Sequence, residues 1–189
     1  MKECIMLAAG LSQRMGTWKM LLPWGTGTVL DSALGGALSF CDRVILVTGH
    51  RADELHQRYR QHPQIALCFN ASYRAGMFSS VQRGVAALCS EEPFFIVPGD
   101  MPAVDPNVYA ALWRPNAIRC QRPVCDSGKG HPVLLPPALA PTILAAPPES
   151  NLRQLMLHHG CQDVQVTSKS IHWDLDTPEQ YQQLHGLLS

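Results

Sequence analysis

The sequence predicts an α/β protein with a three-layer, doubly wound, mostly parallel sheet. Three observations lead there. Val44–Thr48 (VILVT), Ile65–Phe69 (IALCF) and Phe94–Val97 (FFIV) are short, wholly apolar runs, as expected of strands covered on both faces. Helical segments alternate with these runs, and such alternation makes a parallel sheet. Finally, the runs end in polar or small residues: the Gly10 loop, Gly49-His50, the segment after Phe69, and Gly99-Asp100. Doubly wound sheets bind ligands beyond the carboxyl ends of their strands, so one edge collects the candidate functional motifs.

The elements follow in order. Glu3–Ala8 reads as the first strand, and Val29–Phe40 as an apolar-rich helix with Asp31 and Ser32 near its start. Strand Val44–Thr48 stops at Gly49-His50, and Ala52–Arg60 is a helix before strand Ile65–Phe69. Ser79–Leu88 reads as a helix, with Ser79 and Gln82 at capping-box spacing. Strand Phe94–Val97 runs into Pro98-Gly99-Asp100-Met101-Pro102, ahead of a short helix at Asn107–Leu112. Pro132–Leu135 reads as a strand, and the Pro/Ala-rich stretch Pro136–Pro148 as a helix with bounding turns rather than a linker. Helices are expected at Leu139–Leu144 and Asn151–His159, the second with Asn151 and Gln154 at capping-box spacing, and short strands at Val164–Val166 and His172–Leu175. Thr177-Pro178-Glu179-Gln180 opens the last helix, with Thr as N-cap, Pro at the first position and Gln at the third.

The totals bound the function. The 189 residues suit one domain, 1–189, with a real core. Hydrophobic residues make up 46% and charged residues 16%, which excludes a disordered chain. Fifteen basic and fifteen acidic residues give a formal charge of zero. Nucleic-acid and membrane-surface binding, which need a positive excess or patch, are disfavoured. No stretch approaches the roughly 20 apolar residues of a membrane span, and the chain opens on a strand without a leader pattern; a cytoplasmic location is expected. The seven cysteines are irregularly spaced, with Cys4, Cys68 and Cys89 inside apolar runs. That suits buried, reduced thiols better than a disulfide framework or a zinc site.

The densest motif follows the first strand. Ile5–Ala9 ends in small residues, and a loop bounded by Gly10 and Gly16 carries Ser12 and Arg14, with Lys19 just beyond. Small residues allow close backbone approach, and successive N–H groups in such a turn cradle anions. With two fixed cations, the arrangement suits a nucleoside triphosphate. It is not a Walker loop, since Thr17 stands where lysine would follow the second glycine, nor a dinucleotide fingerprint, since Ser12 stands where a glycine is needed. The pattern LAAGxSxRMGxxK resembles the signature loop of the MobA-like NTP transferase family, closest to its molybdenum cofactor cytidylyltransferases and YgfJ-like accessory relatives. The resemblance implies a Rossmann-like nucleotidyltransferase fold of the nucleotide-diphospho-sugar transferase type. Leu7, Ala8, Ala9, Gly10 and Ser12 would then hold the nucleotide, with Arg14 and Lys19 catalytic, and Ala8-Ala9 lining the base pocket.

Further motifs bear on the same reading. Asp100, at the end of FFIVPG, is either a Mg2+ ligand or a turn-former bonded to its own backbone; GDMP resembles the family's metal motif and implies the former, with a catalytic role. Asp176 would complement the dipole of the last helix, but Asp174–Glu179 resembles the family's DxDTPE element, which makes Asp176 the second metal ligand. If the segment is a strand, Asp174 faces away. Two carboxylates with phosphate oxygens suit Mg2+. Asn70, Gly76, Met77, Ser79 and Ser80 resemble the family's N…GM..S stretch, where a helix N-terminus and hydroxyls hold an anion or base edge; Ser79 is equally a plain N-cap. Gly130 and His131 resemble the family's GHP element on the acceptor side, the glycines suggesting close ligand approach. His50 is a weaker candidate of the same kind.

What the resemblance implies is transfer of CMP from CTP to a phosphate-bearing acceptor, molybdopterin or its molybdenum form, with pyrophosphate released. Ala9, where guanylyl-transferring relatives carry glycine, implies CTP over GTP. A molybdenum hydroxylase would be the client. One departure stands out: Pro147–Arg153 replaces the GDxGAR-like segment of the cytidylyltransferases, and only Arg153 corresponds. That leaves two alternatives: a non-catalytic accessory that binds and delivers the cofactor, or a cytidylyltransferase acting on a small sugar or alcohol phosphate.

Overall fold

The structure, a computed structural model, describes residues 1–186. Strand β1 (Glu3–Ala8) leads through a loop to a hairpin, β2 (Pro23–Trp24) and β3 (Gly27–Thr28), and then to α1 (Val29–Leu38). Next come β4 (Arg43–Thr48), α2 (Ala52–Tyr59), β5 (Ile65–Phe69), α3 (Met77–Val85), β6 (Phe94–Pro98) and α4 (Pro106–Leu112). The second half holds β7 (Cys120–Cys125), β8 (Gly128–Lys129), β9 (Val133–Leu135), α5 (Ala140–Ala145), α6 (Leu152–His159), β10 (Cys161–Gln165) and α7 (Pro178–His185).

The main sheet runs β10-β7-β9-β6-β1-β4-β5, with β8 beside β7. β1 lies between β4 and β6 and is parallel to both, Leu7 pairing with Val47 on one side and Pro98 on the other. The chain thus leaves β1 first to one side and later to the other, and the crevice of a doubly wound sheet opens at such a reversal. The parallel expectation holds for β1, β4, β5 and β6 and for the β7–β10 pair. It fails at β9, which is antiparallel to β6 and β7. The reason is local: the β7–β8 hairpin turns the chain back without a crossover helix, and only a crossover restores parallel direction.

Alternation along β1 divides the core. Cys4, Met6 and Ala8 pack with α1, α2 and α4 residues such as Leu30, Leu55 and Tyr109. Ile5 and, at the edge, Leu7 pack with α3, α5 and α6 through Phe78, Val81, Ile143 and Met156. This is the expected three-layer arrangement. Trp24, Val29 and Leu175 form a smaller cluster with Tyr181 and Leu184 of α7; the Tyr181 hydroxyl donates to Pro23 O at 2.6 Å. One charge is buried at the opposite edge: Glu3 pairs with Arg43 at 2.5 Å and accepts the N–H groups of Cys89 and Ser90. With every oxygen partnered, the buried carboxylate avoids its desolvation penalty.

Local chemistry sets the helix ends. Thr28 and Asp31 form a reciprocal capping box on α1, and Arg58 and Tyr59 of α2 also donate to Asp31. Burial raises the Asp31 pKa, but the hydrogen bonds from Arg58, Tyr59 and Thr28 outweigh it and hold it at about 2. The helix stops at Leu38 rather than Phe40, its Ser39 hydroxyl turning back to Gly36 O. α3 starts at Met77, two residues before the expected Ser79, because Gly76 (φ 118°) is the N-cap. Ser79 therefore sits in the first turn, donating to Gly76 O at 2.8 Å, without the box expected with Gln82. Asn151 caps α6 through Arg153 N–H, without the box expected with Gln154. The box of Thr177 and Gln180 on α7 forms as expected.

Two further expectations fail. His172–Leu175 is not a strand: a 3-10 turn spans Lys169–His172, capped by Ser168, and its Ile171 carbonyl is already engaged by His131 N–H at 3.0 Å. All seven cysteines are free, but Cys89 is exposed, in the loop that lies over Glu3. Strand β7 was not anticipated, because Gln121, Arg122 and Pro123 break its apolar run.

Gly84 brings α3 against the sheet: a β-carbon there would lie 2.4 Å from Ile5 Cγ2 and 3.1 Å from Val47 Cγ2. Overpacking of about 1–3 kcal/mol should exceed the roughly 1 kcal/mol gained in helix propensity. Gly84→Ala is expected to lower the urea midpoint with an unchanged slope.

Candidate active site

The loop after β1 is shaped by two left-handed residues, Ser12 (φ 52°) and Gly16 (φ 67°), on either side of a 3-10 turn at Gln13–Met15. Ser12 Oγ accepts Lys19 N–H at 3.3 Å, closing the loop onto itself. Leu7 O receives Gly99 N–H at 2.9 Å, and Ala9 O receives His50 N–H at 3.2 Å. The Gly10 loop, the β4 end and the β6 end are thereby held at one level. A β-carbon on Gly10 would meet nothing within 4 Å, so protein packing does not demand that glycine.

At the centre stands Lys19, 8% exposed. Its ammonium bridges two carboxylates, pairing with Asp100 and lying 3.0 Å from Asp176 Oδ1. Arg14 takes the other Asp176 oxygen at 2.6 Å. Burial lowers the Lys19 pKa, but the two carboxylates more than compensate and raise it above the ordinary value. Asp176 shows the reverse balance: burial raises its pKa, and Lys19 and Arg14 draw it down. Asp100 is held by its main chain, whose carbonyl accepts Leu175 N–H at 3.1 Å. Asp176 is held by α7, its N–H donating to Gln180 Oε1 of the capping box at 2.9 Å.

Two adjoining cavities open here. The first, about 510 Å3, is lined by Leu7, Ala9, Gly10, Ser12, Arg14, Lys19, Ser80, Asp100 and Asp176 among others. The second, about 940 Å3, is lined by Gly76, Gly130, His131, Arg122 and the segment 148–153. Leu7, Met77 and Pro98 belong to both walls.

Several candidates lie elsewhere than expected. Ala8 is fully buried in the core and lines neither cavity, because strand alternation presents Leu7 and Ala9 to the crevice instead. Asn70 is a hub within the protein. Its Nδ2 donates to Ser79 and Ser80, both at 2.9 Å, and its Oδ1 accepts Ser72 N–H. The Ser79 hydroxyl is thus used inside the loop, and only Ser80 faces the first cavity. Gly130 has a packing reason: a β-carbon there would lie 2.1 Å from Ile171 O. His131 lies in the second cavity wall with Nδ1 buried and unpartnered, as is His172 Nε2 nearby. His50 packs edge-on to Trp18 at 6.1 Å and lines neither cavity.

The sequence reading misses Arg122 and misplaces Asp174, which lines neither cavity but lies near Asp176 and Asp100. Asp174 does not face away, since no strand forms there: burial, and then the charges of Asp176 and Asp100, push its carboxyl pKa up. Arg122, on the unanticipated β7, reaches the second cavity and is held by Asp163 of β10 at 2.7 Å.

One observation bears on a metal. Asp100 Oδ1 is buried with no hydrogen-bond partner, a hard oxygen left with unused lone pairs. Among the described residues no three His, Cys, Asp or Glu side chains are grouped to hold a metal ion. A divalent cation here would take Asp100 and Asp176 and complete its shell with ligand oxygens and water.

Residues 4–164 match the MobA-like NTP transferase domain. The chain belongs to this family. It is a nucleotidyltransferase, and its fold is that of solved relatives. The molybdenum cofactor cytidylyltransferase of Escherichia coli is 37% identical over 179 residues, covering 95% of this chain and 93% of that protein. A nucleotidyl transferase from Methanothermobacter superposes with a TM-score of 0.83 at 21% identity, covering 100% of this chain and 97% of that one. Rv0371c of Mycobacterium tuberculosis, solved as a complex with manganese, gives a TM-score of 0.77 at 20% identity over 98% and 97% of the two chains. Among the described residues of the transferase, no helix is long and apolar enough to cross a membrane.

Burial lowers the His131 pKa, against an opposing pull from Asp100 and with a smaller push in the same direction from His172. A depressed pKa favours the folded state above the unfolded value of about 6.5 and costs stability as pH falls below it. Urea unfolding at pH 7 and pH 5.5 should show a loss of stability on acidification that His131→Gln reduces.

Proposed function

We propose that this transferase moves CMP from CTP, with Mg2+, to the terminal phosphate of a molybdopterin-type acceptor, releasing pyrophosphate. The observation that carries the reading is the pairing of Lys19 and Arg14 with Asp100 and Asp176 in the wall of the first cavity. Identity to the E. coli cytidylyltransferase along nearly the whole chain supports the nucleotide and acceptor. The reading takes 1–189 as one domain, in the cytoplasm, with a molybdenum hydroxylase as client and neither nucleic acid nor membrane as partner.

An acceptor phosphate oxygen attacks the α-phosphorus of CTP, and the bond to the β-phosphate oxygen breaks. Such transfer depends on positioning and charge neutralisation. The first cavity takes the nucleotide. Backbone N–H groups around Gly10 and Ser12 hold phosphate oxygens, Ala9 lies against the base, and Lys19 and Arg14 offset the charge on the departing pyrophosphate. The second cavity takes the acceptor, with Arg122 and Arg153 supplying positive charge and His131, neutral at pH 7, a hydrogen bond. Leu7, Met77 and Pro98, shared by both walls, put apolar surface beside the reacting phosphorus. Bound Mg2+ would neutralise the phosphate oxygens from Asp100 and Asp176. A second reading, transfer to a small sugar or alcohol phosphate, rests on the altered segment 147–153, much of which lines the acceptor cavity.

The test is thermal stabilisation by CTP, GTP, ATP and UTP with Mg2+. CTP at a hundredfold excess over Kd should stabilise by about 2.7 kcal/mol, with smaller effects from the others. Equal shifts from all four would sink the CTP assignment. Asp100→Asn should keep the fold and lose at least about a hundredfold in turnover, the scale of a missing transition-state charge partner. Lys19→Ala should weaken CTP binding; unchanged affinity and rate would remove Lys19 from the site.

A further inference from the structure

The cation-binding carboxylates of this site are already neutralised by the chain's own cations. Lys19 lies between Asp100 and Asp176, and Arg14 occupies the second oxygen of Asp176. At these four residues two negative charges meet two positive ones, with Asp174 close by as a third carboxylate. A divalent ion approaching Asp100 and Asp176 meets the two cations already paired with them. It must also displace an ammonium that is 8% exposed and lies in the space between the carboxylates.

The two cations are not equivalent. The Arg14 side chain is 74% exposed and that of Lys19 is 10% exposed. Water screens the first and largely spares the second. Arg14 can swing away at little cost. Lys19 leaves only when another anion replaces the carboxylates, because a buried ammonium without a partner is costly. A triphosphate in the first cavity supplies that anion, since the same wall carries Lys19, Ser12 and Gly10.

We infer that Lys19 is a resident counter-cation: it holds the place between Asp100 and Asp176 in the free protein, and the incoming triphosphate draws it off, so the divalent ion binds only with the nucleotide. The inference rests on the proposed metal assignment and adds an order of events to it. It gives Lys19 two successive partners, carboxylates and then phosphate. It also gives Asp100 Oδ1, buried and unpartnered, its role as the oxygen left open for the entering ion.

Manganese binding, read from the loss of the free aquo-ion signal in electron paramagnetic resonance, tests this without reference to activity. Wild type should bind Mn2+ weakly alone and at least about tenfold more tightly with CTP. Lys19→Met should bind Mn2+ about tenfold more tightly than wild type without nucleotide, the scale of removing one close, poorly screened charge. CTP should then add little. Lys19→Gln, which keeps a polar end, guards against a folding defect in the first variant and should show the same gain. If wild type and both variants bind Mn2+ equally without nucleotide, and Asp100→Asn abolishes that binding, the place-holding role is overturned and the metal assignment stands. If the double variant Lys19→Met/Asp100→Asn binds Mn2+ as tightly as Lys19→Met, both are overturned.

Discussion

The bridge from Lys19 to Asp100 and Asp176 is the constraint on which the rest of the site depends. Its three residues come from the loop after β1, the end of β6 and the turn before α7, and Lys19 and Asp176 are 157 residues apart. Each carboxylate would be expensive to bury alone and becomes tolerable only with the ammonium between them. The fold delivers the three groups by separate devices. β1 and β6 are adjacent and in register, so Gly10 and Asp100 emerge side by side. The α7 capping box fixes the main chain at Asp176, and the Leu175 N–H to Asp100 O bond ties that turn to the β6 end. The Trp24 cluster anchors α7 from below.

The same geometry separates two binding tasks. The first cavity is bounded by the cation-bearing loop, which suits a polyanion. The second is walled by α3, α6 and the β7–β9 region, where the sheet departs from parallel order. That departure brings Arg122 and His131 to one wall, since β7, the β8 hairpin and the following turn fold back on themselves. Pairing with Asp163 orients Arg122 without requiring the guanidinium to be buried unpaired. The first cavity thus sits on the regular half of the sheet and the second on the irregular half.

This division explains what could be read from the sequence. On the regular half the apolar runs had strand length and sharp ends, and β1 and β5 fell where expected, to the residue. The charged members of the first cavity, Arg14, Lys19, Asp100 and Asp176, were legible because each lies beside a turn signal or a cap. On the irregular half the signals compete. Gln121-Arg122-Pro123 interrupts β7, so its polar members read as loop although Arg122 is buried. Asp174 was assigned by strand alternation, and a 3-10 turn has a different period. Ser79 had the spacing of a cap, but Gly76, able to adopt φ 118°, claimed the N-terminus first, and Asn70 then recruited the freed hydroxyl. In each case a tertiary partner decided between two locally reasonable conformations.

The glycines show most clearly how a motif match and a physical cause can part. Gly10 and Gly130 both sit in stretches that resemble family motifs, and both look like places where a ligand approaches the backbone. Around Gly10 nothing in the protein would oppose a side chain; what a β-carbon would fill is the space beside the first cavity. Around Gly130 the carbonyl of Ile171 would be overlapped at 2.1 Å, and that carbonyl is the one His131 N–H engages. Gly130 therefore lets the chain cross the Ile171 turn and so sets His131 in the wall of the second cavity. Its effect on the site is indirect, through the position of the imidazole, whereas that of Gly10 is direct. Substitution at Gly130 should be felt as stability and at Gly10 as ligand affinity, so the two motifs, alike on paper, act on different links between sequence and function.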